Sequence, residues 1–317
     1  MSPKKRENNQ KKKVALIGCG LIGQSWAISF LSAGFEVSLF DPVEGVTVQS
    51  KEKIKAKLSD LKNYGVLENK NISDYLDKVH LAQDLPHAVR GSIYVQESGP
   101  EDLNIKKELT TKIDAATAEN IPIASSTSGI PASLYAKDVK GQNRCLVAHP
   151  INPPHLIPAV EIVPAPFTSE AVTKAVKKII TSIDKEPLEL KKEIPGFVVN
   201  RLQGALLCEA FDLVKEGISS AEDIDKAISE GLGLRWSFMG PFQTIHLNAP
   251  EGIEGYVKRY EKMYKEMFNK SDIEWSSVVK LGLEEELLKL YHLSEREKHE
   301  KERDTKLTEL ILHKTKT

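Results

Sequence analysis

Residues 12–41, "KKVALIGCGLIGQSWAISFLSAGFEVSLFD", contain the pattern that decides the fold of the first half of the chain. The continuous apolar run over 14–17 ends in a glycine, which is typical of a parallel strand buried on both faces. Apolar residues then recur at helical spacing, and a second apolar run, "FEVSLF", ends at Asp41. The stretch therefore predicts a strand, a helix and a second strand in one unit.

Three glycines lie in the turn between this strand and the helix, in the spacing G-x-G-x-x-G: Gly18, Gly20 and Gly23. There the first glycine permits a tight turn, the second lets the backbone approach a pyrophosphate, and the third allows close helix–strand packing. The helix starts near Leu21, and its first turn, which includes Ile22, offers free N–H groups and a positive dipole end to phosphates. The pattern predicts a dinucleotide site.

The end of the second strand indicates which dinucleotide binds. Asp41 is placed to accept hydrogen bonds from the ribose hydroxyls of the adenosine. Glu44 nearby would repel a 2′-phosphate, and no arginine follows Asp41 that would attract one. The sequence therefore predicts NAD rather than NADP.

The sequence as a whole predicts two domains, the first of the α/β class and the second all-helical. Its 317 residues exceed one ordinary compact domain. Strands and helices alternate to about residue 190, and only helical patterns follow. We expect a disordered basic tail over 1–11, an N-terminal Rossmann-like NAD-binding domain over 12–193, and an all-helical C-terminal domain over 194–317 for substrate binding and dimerisation.

Composition argues against a nucleic-acid or membrane partner. The net charge is −1, from 44 basic and 45 acidic residues, so no global field favours a polyanion or a charged surface. No window approaches the roughly 20 apolar residues of a membrane span. The three cysteines are odd in number and form no motif, as expected for reduced thiols. We expect a cytoplasmic protein without a metal site.

The segment "AHPINPPHLIPAVEIV", residues 148–163, contains a candidate for proton transfer. Moving a hydride to or from a carbinol carbon also moves the hydroxyl proton, and histidine suits that task. His149 falls at the end of a predicted strand, where ligand-facing residues of such sheets collect. The prolines that follow let Glu161 return beside it, where its carboxylate would fix the imidazole tautomer. A Glu161 facing solvent on a half-buried strand is the alternative.

Two further polar residues stand where a substrate oxygen could be held. Ser128 lies in the loop "SSTSG" after a predicted strand, and the alternative is an ordinary turn serine. Asn200 lies in the first turn of a long amphipathic helix that begins at about Gly196. It could donate to a carbonyl oxygen as negative charge develops there, or merely cap the helix or contact another subunit.

Four motifs, "GCGLIG", "SSTSG", "AHPINPPHLIPAVEIV" and "PGFVVNRL", together resemble the 3-hydroxyacyl-CoA dehydrogenase family over nearly the whole chain. In that family a Ser, a His, a Glu and a helix Asn form the active site. Carried over motif by motif, the resemblance implies that these are Ser128, His149, Glu161 and Asn200.

The same resemblance implies three further contacts. The Asn of the family's H-x-x-N-P is Asn152, which we expect to contact the substrate. The family's cofactor-contacting Glu and Lys, five apart, match Glu101 and Lys106 in "PEDLNIK".

The chain departs from the fatty-acyl branch of that family. It has Pro150-Ile151 where that branch has two phenylalanines, and a longer segment "GLGLRWSFMGPFQTIHLNA" over 231–249. The longer segment resembles the lambda-crystallin branch, which includes L-gulonate 3-dehydrogenase, and also the L-carnitine dehydrogenases. In it, the guanidinium of Arg235 could hold a free carboxylate bidentately. The alternative is an arginine at a subunit interface.

These observations predict NAD-dependent oxidation of the 3-hydroxyl of a small hydroxy acid, in the manner of an L-gulonate 3-dehydrogenase, with His149 as general base. The alternatives are an L-carnitine dehydrogenase, a 3-hydroxyacyl-CoA dehydrogenase and, from another class, a crystallin-like structural protein. A homodimer formed through the helical domain is expected.

Overall fold

The computed structural model describes residues 12–67, 70–268, 276 and 279–314, so the basic tail predicted over 1–11 lies outside the described residues. The chain divides into two compact units, the first ending at Ala205 and the second beginning at Leu206. The division falls inside the helix that begins at Val199, whose first turn is hydrogen-bonded to the first unit. The predicted domain boundary at 193/194 stays a prediction.

The first unit is built on one eight-stranded sheet. The strands are β1 Lys13–Ile17, β2 Glu36–Phe40, β3 Val79–Leu81, β4 Val95–Glu97, β5 Ile123–Ser125, β6 Cys145–Pro150, β7 Ala159–Pro164 and β8 Glu186–Glu189. Their order across the sheet is β3-β2-β1-β4-β5-β6-β7-β8. Neighbouring strands run parallel except β6 and β7, which are antiparallel.

The strand order reverses beside β1, which pairs with β2 on one side and β4 on the other. In an open α/β sheet, ligands bind outside the carboxyl ends of the strands at such a switch point. The glycine turn follows β1, and Ser98 follows β4, at this edge.

Helices cover both faces of this sheet. They are α1 Leu21–Ser32, α2 Val46–Asn63, α3 Ile72–Leu76, α4 Leu85–Val89, α5 Leu103–Ala116, α6 Ala132–Tyr135 and α7 Glu170–Ser182. A further helix, α8 Val199–Lys215, begins in the first unit and extends into the second. Side-chain caps begin several of them: Asp102 accepts hydrogen bonds from the second and third N–H groups of α5, and Ser169 caps α7. Gly34, at φ +92°, follows α1 in the left-handed conformation that often ends a helix.

The core of the first unit lies on both sides of the sheet because successive strand residues face opposite ways. Val14 and Leu16 of β1 pack in the cluster that contains Trp26, whereas Ala15 and Ile17 pack in the cluster on the other face. All four are essentially unexposed, as the continuous apolar run predicts for a central parallel strand.

In the described part of 206–314 the second unit is helical and contains no strand. Beyond α8, its α-helices are α9 Ala221–Lys226, α10 Gly233–Trp236, α11 Pro241–Leu247, α12 Gly252–Met267, α13 Glu284–Leu290 and α14 Arg296–Lys314. Its small core contains Ile253, Val257, Val279 and Leu287. The predicted class, a Rossmann-like α/β unit followed by a helical one, is confirmed. None of the described helices is long and apolar enough to cross a membrane.

Candidate active site

The glycine turn after β1 is shaped for a ligand backbone. Gly18 has φ +95°, and a Cβ there would lie 2.6 Å from the carbonyl oxygen of Ser98. A Cβ at Gly23 would lie 2.0 Å from the carbonyl oxygen of Gly18, so only glycine permits this packing of α1 on the turn. A Cβ at Gly20 meets no atom within 4 Å. The turn is therefore closed on the protein side and open where a pyrophosphate would approach.

The first turn of α1 supplies hydrogen-bond donors beside this opening. The first hydrogen bond inside the helix runs from the N–H of Gln24 to the carbonyl of Gly20. The N–H groups of Leu21, Ile22 and Gly23 therefore have no carbonyl partner within the helix. The side chain of Leu21 is exposed, while that of Ile22 packs partly against the core. These donors, with the positive end of the helix dipole, fit a phosphate group.

Asp41 stands next to the glycine turn, directly after β2. Its Oδ2 accepts a hydrogen bond from the N–H of Cys19 at 2.9 Å, and its Oδ1 accepts one from the N–H of Val43 at 3.0 Å. The carboxylate is thus fixed at the edge of the turn, as the role predicted for a ribose-binding acid requires.

We expect Asp41→Ala to reduce the preference for NAD over NADP by about tenfold or more, because it removes a charged acceptor of ribose hydroxyls and the charge that repels a 2′-phosphate. The measurement is kcat/KM for both cofactors, with Asp60→Ala, an exposed acid on α2, as the control. Equal turnover of NAD and NADP by the unmodified protein would contradict this role of Asp41.

His149 and Glu161 form a buried pair across two antiparallel strands. The register of β6 and β7 places the two residues directly opposite each other. The Nδ1 of His149 lies 2.7 Å from the Oε2 of Glu161, and both side chains are almost completely shielded from solvent. The structure therefore shows Glu161 turned to His149 and not to the surface.

The other oxygen of Glu161 binds the start of α8. Oε1 accepts hydrogen bonds from the N–H groups of Val198 at 2.7 Å and Val199 at 3.0 Å. Burial would raise the pKa of the Glu161 carboxyl, but the hydrogen bonds from His149 and from these two N–H groups outweigh it and hold the pKa below its ordinary value. Glu161 is thus an ionised acceptor, and the Nδ1 of His149 carries the shared hydrogen.

Phe197 completes this corner and was not identified from the sequence. It is fully buried, has φ +49°, and its ring centroid lies 5.7 Å from that of His149. A left-handed backbone is uncommon for a bulky residue. It follows Gly196, also left-handed at φ +76°, and together they precede the two N–H groups that reach Glu161. In the sequence, the tripeptide "PGF" at 195–197 could have indicated this turn.

Ser128 and Asn200 are brought together on the same unit. The Nδ2 of Asn200, in the first turn of α8, donates to the carbonyl oxygen of Ser128 at 2.8 Å. Because Glu161 holds the start of α8, the N-terminus of this helix links the His149–Glu161 pair to the Asn200–Ser128 pair. The Nε2 of His149 and the Oγ of Ser128 have no hydrogen-bond partner within the described ranges.

Glu101 and Lys106 lie close together, and Glu101 contacts the loop that carries Ser128, residues 126–130. The Oε1 of Glu101 accepts hydrogen bonds from this loop, including one from the N–H of Ser128 at 2.9 Å. Lys106 is 1% exposed, and its Nζ lies 3.1 Å from the Oε2 of Glu97, a residue that the sequence did not single out. Contact of Glu101 and Lys106 with the cofactor stays a prediction.

The two remaining predicted substrate contacts also stay predictions. Asn152 is exposed in the proline loop between β6 and β7, in the same unit as His149. Arg235 lies on α10 of the second unit and is half-buried. Its guanidinium has no acidic partner among the described side chains.

The geometry defines a class of protein. The same sheet edge that is built for a dinucleotide carries, at the end of β6, an imidazole whose Nδ1 is held by Glu161 and whose Nε2 has no partner in the described ranges, as an acid/base group requires. No group of three or more His, Cys, Asp or Glu is placed to hold a metal ion in the part of the chain that is described. The glycine turn and the His149–Glu161 pair are features of a dinucleotide-dependent oxidoreductase acting on a hydroxyl group.

Comparison with known families agrees with this class. Residues 13–194 match the NAD binding domain of 3-hydroxyacyl-CoA dehydrogenase, and residues 196–286 match the C-terminal domain of the same family. The chain belongs to the 3-hydroxyacyl-CoA dehydrogenase family and is an NAD-dependent oxidoreductase. The predicted family, the predicted enzyme class and the predicted cofactor are confirmed.

Individual relatives carry several names. The chain is 37% identical over 96% of its length to a 3-hydroxyacyl-CoA dehydrogenase of Gibberella moniliformis, covering 95% of that protein. It is 39% identical over 80% to the lambda-crystallin homolog of Homo sapiens, covering 79% of it. It is 38% identical over 76% to an L-carnitine dehydrogenase of Streptomyces griseus, covering 71% of it.

A solved structure shows the same fold. It is the 3-hydroxyacyl-CoA dehydrogenase of Archaeoglobus fulgidus, with a TM-score of 0.72 and 28% identity, covering 95% of this chain and 98% of that one.

Proposed function

We propose that this enzyme oxidises the 3-hydroxyl of a small hydroxy acid with NAD, in the manner of an L-gulonate 3-dehydrogenase. The observation that carries the proposal is the buried pair between His149 Nδ1 and Glu161 Oε2 at 2.7 Å, at the ligand-binding edge of the sheet. Glu161 accepts through both of its oxygens, so the imidazole is held in one orientation and one tautomer.

In the proposed mechanism, the Nε2 of His149 takes the hydroxyl proton of the substrate. Its lone pair is free because the hydrogen of the neutral ring lies on Nδ1, and the carboxylate of Glu161 stabilises the imidazolium that forms. Bound NAD supplies the hydride acceptor. The protonated ring can return its proton when the reaction runs in reverse.

Ser128 and Asn200 hold the substrate oxygen in this proposal. A hydroxyl group can donate and accept, and an amide nitrogen has two hydrogens, of which the contact with Ser128 uses one. Two donors near the oxygen stabilise the negative charge that develops as the carbonyl forms. Asn152, which is exposed in the proline loop, is proposed as a further substrate contact.

Arg235 is proposed to bind the carboxylate of the hydroxy acid. A half-buried guanidinium without an acidic partner in the described part of its unit is available for an anionic ligand. Its planar fork matches a carboxylate bidentately. An acyl-CoA substrate has a thioester at that end and carries no carboxylate there.

We expect Arg235→Leu to lower kcat/KM for the hydroxy acid by an amount corresponding to about 2–5 kcal/mol, because it removes one partner of a buried charged pair. Arg235→Lys keeps the charge but loses the fork, so a several-fold increase in KM is expected. Arg259→Leu, which breaks the exposed ion pair with Glu251, is the control in the same unit. Undiminished turnover of the hydroxy acid by Arg235→Leu would assign Arg235 to packing or to a subunit contact.

The substrate itself is tested by NADH absorbance with NAD and three candidates: L-gulonate, L-carnitine and 3-hydroxybutyryl-CoA. The latter two are included because relatives named for those chemistries share 38% and 37% identity with the chain. The proposal requires the highest kcat/KM for L-gulonate. A preference for L-carnitine or 3-hydroxybutyryl-CoA would assign the enzyme to the corresponding branch of the family. If none of the three is turned over, a crystallin-like structural role is favoured.

We further propose a cytoplasmic homodimer formed through the helical unit. The C-terminal part of α8 and the turn after it carry several exposed apolar side chains, namely Leu206, Leu207, Phe211, Val214 and Ile218. Contiguous apolar surface of this kind marks association sites in proteins. The three cysteines are all unpaired, which supports a reducing compartment.

A further inference from the structure

The loop that carries Ser128 is held by one carboxylate. The Oε1 of Glu101 accepts hydrogen bonds from the Oγ1 of Thr127 at 2.6 Å, the N–H of Ser128 at 2.9 Å and the N–H of Gly129 at 3.2 Å. The Oγ1 of Thr127 in turn accepts from the N–H of Ile130 at 3.0 Å. Three consecutive residues of the loop therefore depend on one oxygen of Glu101.

The other oxygen of Glu101 faces a buried ammonium group. The Nζ of Lys106 lies 3.8 Å from the Oε2 of Glu101 and within 3.2 Å of both oxygens of Glu97. Lys106 and Glu97 are almost completely buried, whereas the side chain of Glu101 is 46% exposed. A buried charge is costly to leave unpaired, so Lys106 stays beside Glu97. Its ammonium group also attracts the Oε2 of Glu101, whose Oε1 binds the loop.

We infer that Glu101 is a positioning residue for the substrate-binding loop, acting through Ser128, with Lys106 and Glu97 as its buried support. Both backbone polar groups of Ser128 are then fixed: its N–H by Glu101, and its carbonyl by Asn200 at 2.8 Å. With the backbone held, the hydroxyl of Ser128 is presented in one direction. The inference rests on the proposed function, in which Ser128 binds the substrate oxygen.

This role differs from cofactor contact in what a substitution changes. If Glu101 positions Ser128, its loss raises the substrate KM by a larger factor than it raises the Kd of NADH, whether or not the carboxylate also contacts the cofactor. If Glu101 acts through the cofactor alone, the Kd of NADH rises at least as much as the substrate KM. Thr127, itself a loop residue, offers a second test because it is 1% exposed, its Oγ1 donates to Glu101, and the same Oγ1 accepts from the N–H of Ile130.

The experiment compares Glu101→Ala, Glu101→Gln and Thr127→Val, with Glu108→Gln, an exposed acid paired with Lys112 on α5, as the control. NADH fluorescence titration gives the cofactor Kd, steady-state kinetics with saturating NAD give the substrate KM, and hydrogen–deuterium exchange reports the backbone of residues 126–130. The substrate is whichever of L-gulonate, L-carnitine and 3-hydroxybutyryl-CoA the unmodified enzyme turns over best.

We expect Glu101→Ala to raise the substrate KM and the exchange rate of the loop by about tenfold or more, since it removes charge-assisted hydrogen bonds. Thr127→Val should do the same to a smaller extent, and Glu101→Gln, which keeps an acceptor oxygen, should restore most of both. A rise in NADH Kd at least as large as the rise in KM, or unchanged exchange over 126–130, overturns the inference. If no substrate is turned over, the proposed function fails, while exchange and NADH binding still decide the role of Glu101.

Discussion

His149→Ala should retain NADH binding and lose about 10²–10⁴-fold in kcat, the range that general acid/base groups supply. The cofactor is expected at the glycine turn after β1 and at Asp41, neither of which the substitution touches. Steady-state turnover and NADH fluorescence titration measure the two effects separately. Near-normal turnover would exclude His149 as the base.

Matched variants separate the loss of the base from the loss of a buried contact. Removing the imidazole leaves the Oε2 of Glu161 without its partner in a closed site, which costs about 1–3 kcal/mol of stability. His149→Gln can still donate to Glu161 but is no base, so it should be as inactive as His149→Ala and more stable. His80→Ala, an exposed histidine on β3, controls for the loss of an imidazole elsewhere in the unit.

Glu161→Gln is expected to lower kcat on the order of 10²-fold, less than the loss of His149 itself. The carboxylate accepts on both oxygens, from His149 on one side and from Val198 and Val199 on the other. An amide has only one oxygen, so it can satisfy only one side. If its NH₂ group faces His149, the ring must carry its hydrogen on Nε2 and cannot act as base.

The pH–rate profile of Glu161→Gln distinguishes this role from a purely structural one. Without the neighbouring negative charge, the protonated imidazole loses stabilisation, so the acidic limb should move to lower pH. Glu193→Gln removes an acid that accepts a hydrogen bond from the N–H of Ser133 and serves as the control. If kcat falls but the acidic limb does not move, Glu161 serves only to hold the start of α8.

The pH dependence of stability follows from the same carboxylate. Because the folded pKa of Glu161 lies below its ordinary value, its contribution is complete above that ordinary pKa and is lost as pH falls through the folded pKa. The difference in the free energy of unfolding between the unmodified protein and Glu161→Gln should therefore be largest near neutral pH. Urea denaturation at several pH values measures it.

The fold and the use of NAD could be predicted because they depend on local patterns. The apolar run of β1, the glycine spacing after it and Asp41 after β2 all lie within residues 12–41. Each encodes its role through its own chemistry: burial on both faces, absence of a Cβ, and a charged acceptor. The family resemblance in "AHPINPPHLIPAVEIV" pointed in the same way to His149 and Glu161.

The sequence alone could not predict that Glu161 binds His149 with one oxygen and the start of α8 with the other. Its second oxygen binds the N-terminus of α8, a contact across 37 residues of sequence. It also depends on the left-handed conformation of Phe197, which no residue preference for phenylalanine favours. Sequence patterns describe single elements, whereas this contact exists only once a strand and a helix end are packed together.

The buried ion pair under the Ser128 loop illustrates the same limit. A charged helix pattern in "PEDLNIK" gives no sign that Lys106 is unexposed, and "YVQES" gives no sign that Glu97 is its partner. The sequence by itself determined the strand–glycine–helix unit and the use of NAD, because those follow from residue type and spacing, and it offered His149 and Glu161 as a candidate pair. Only the tertiary structure decided which charges are buried together and which backbone groups they hold, because desolvation and hydrogen-bond geometry depend on neighbours distant in sequence.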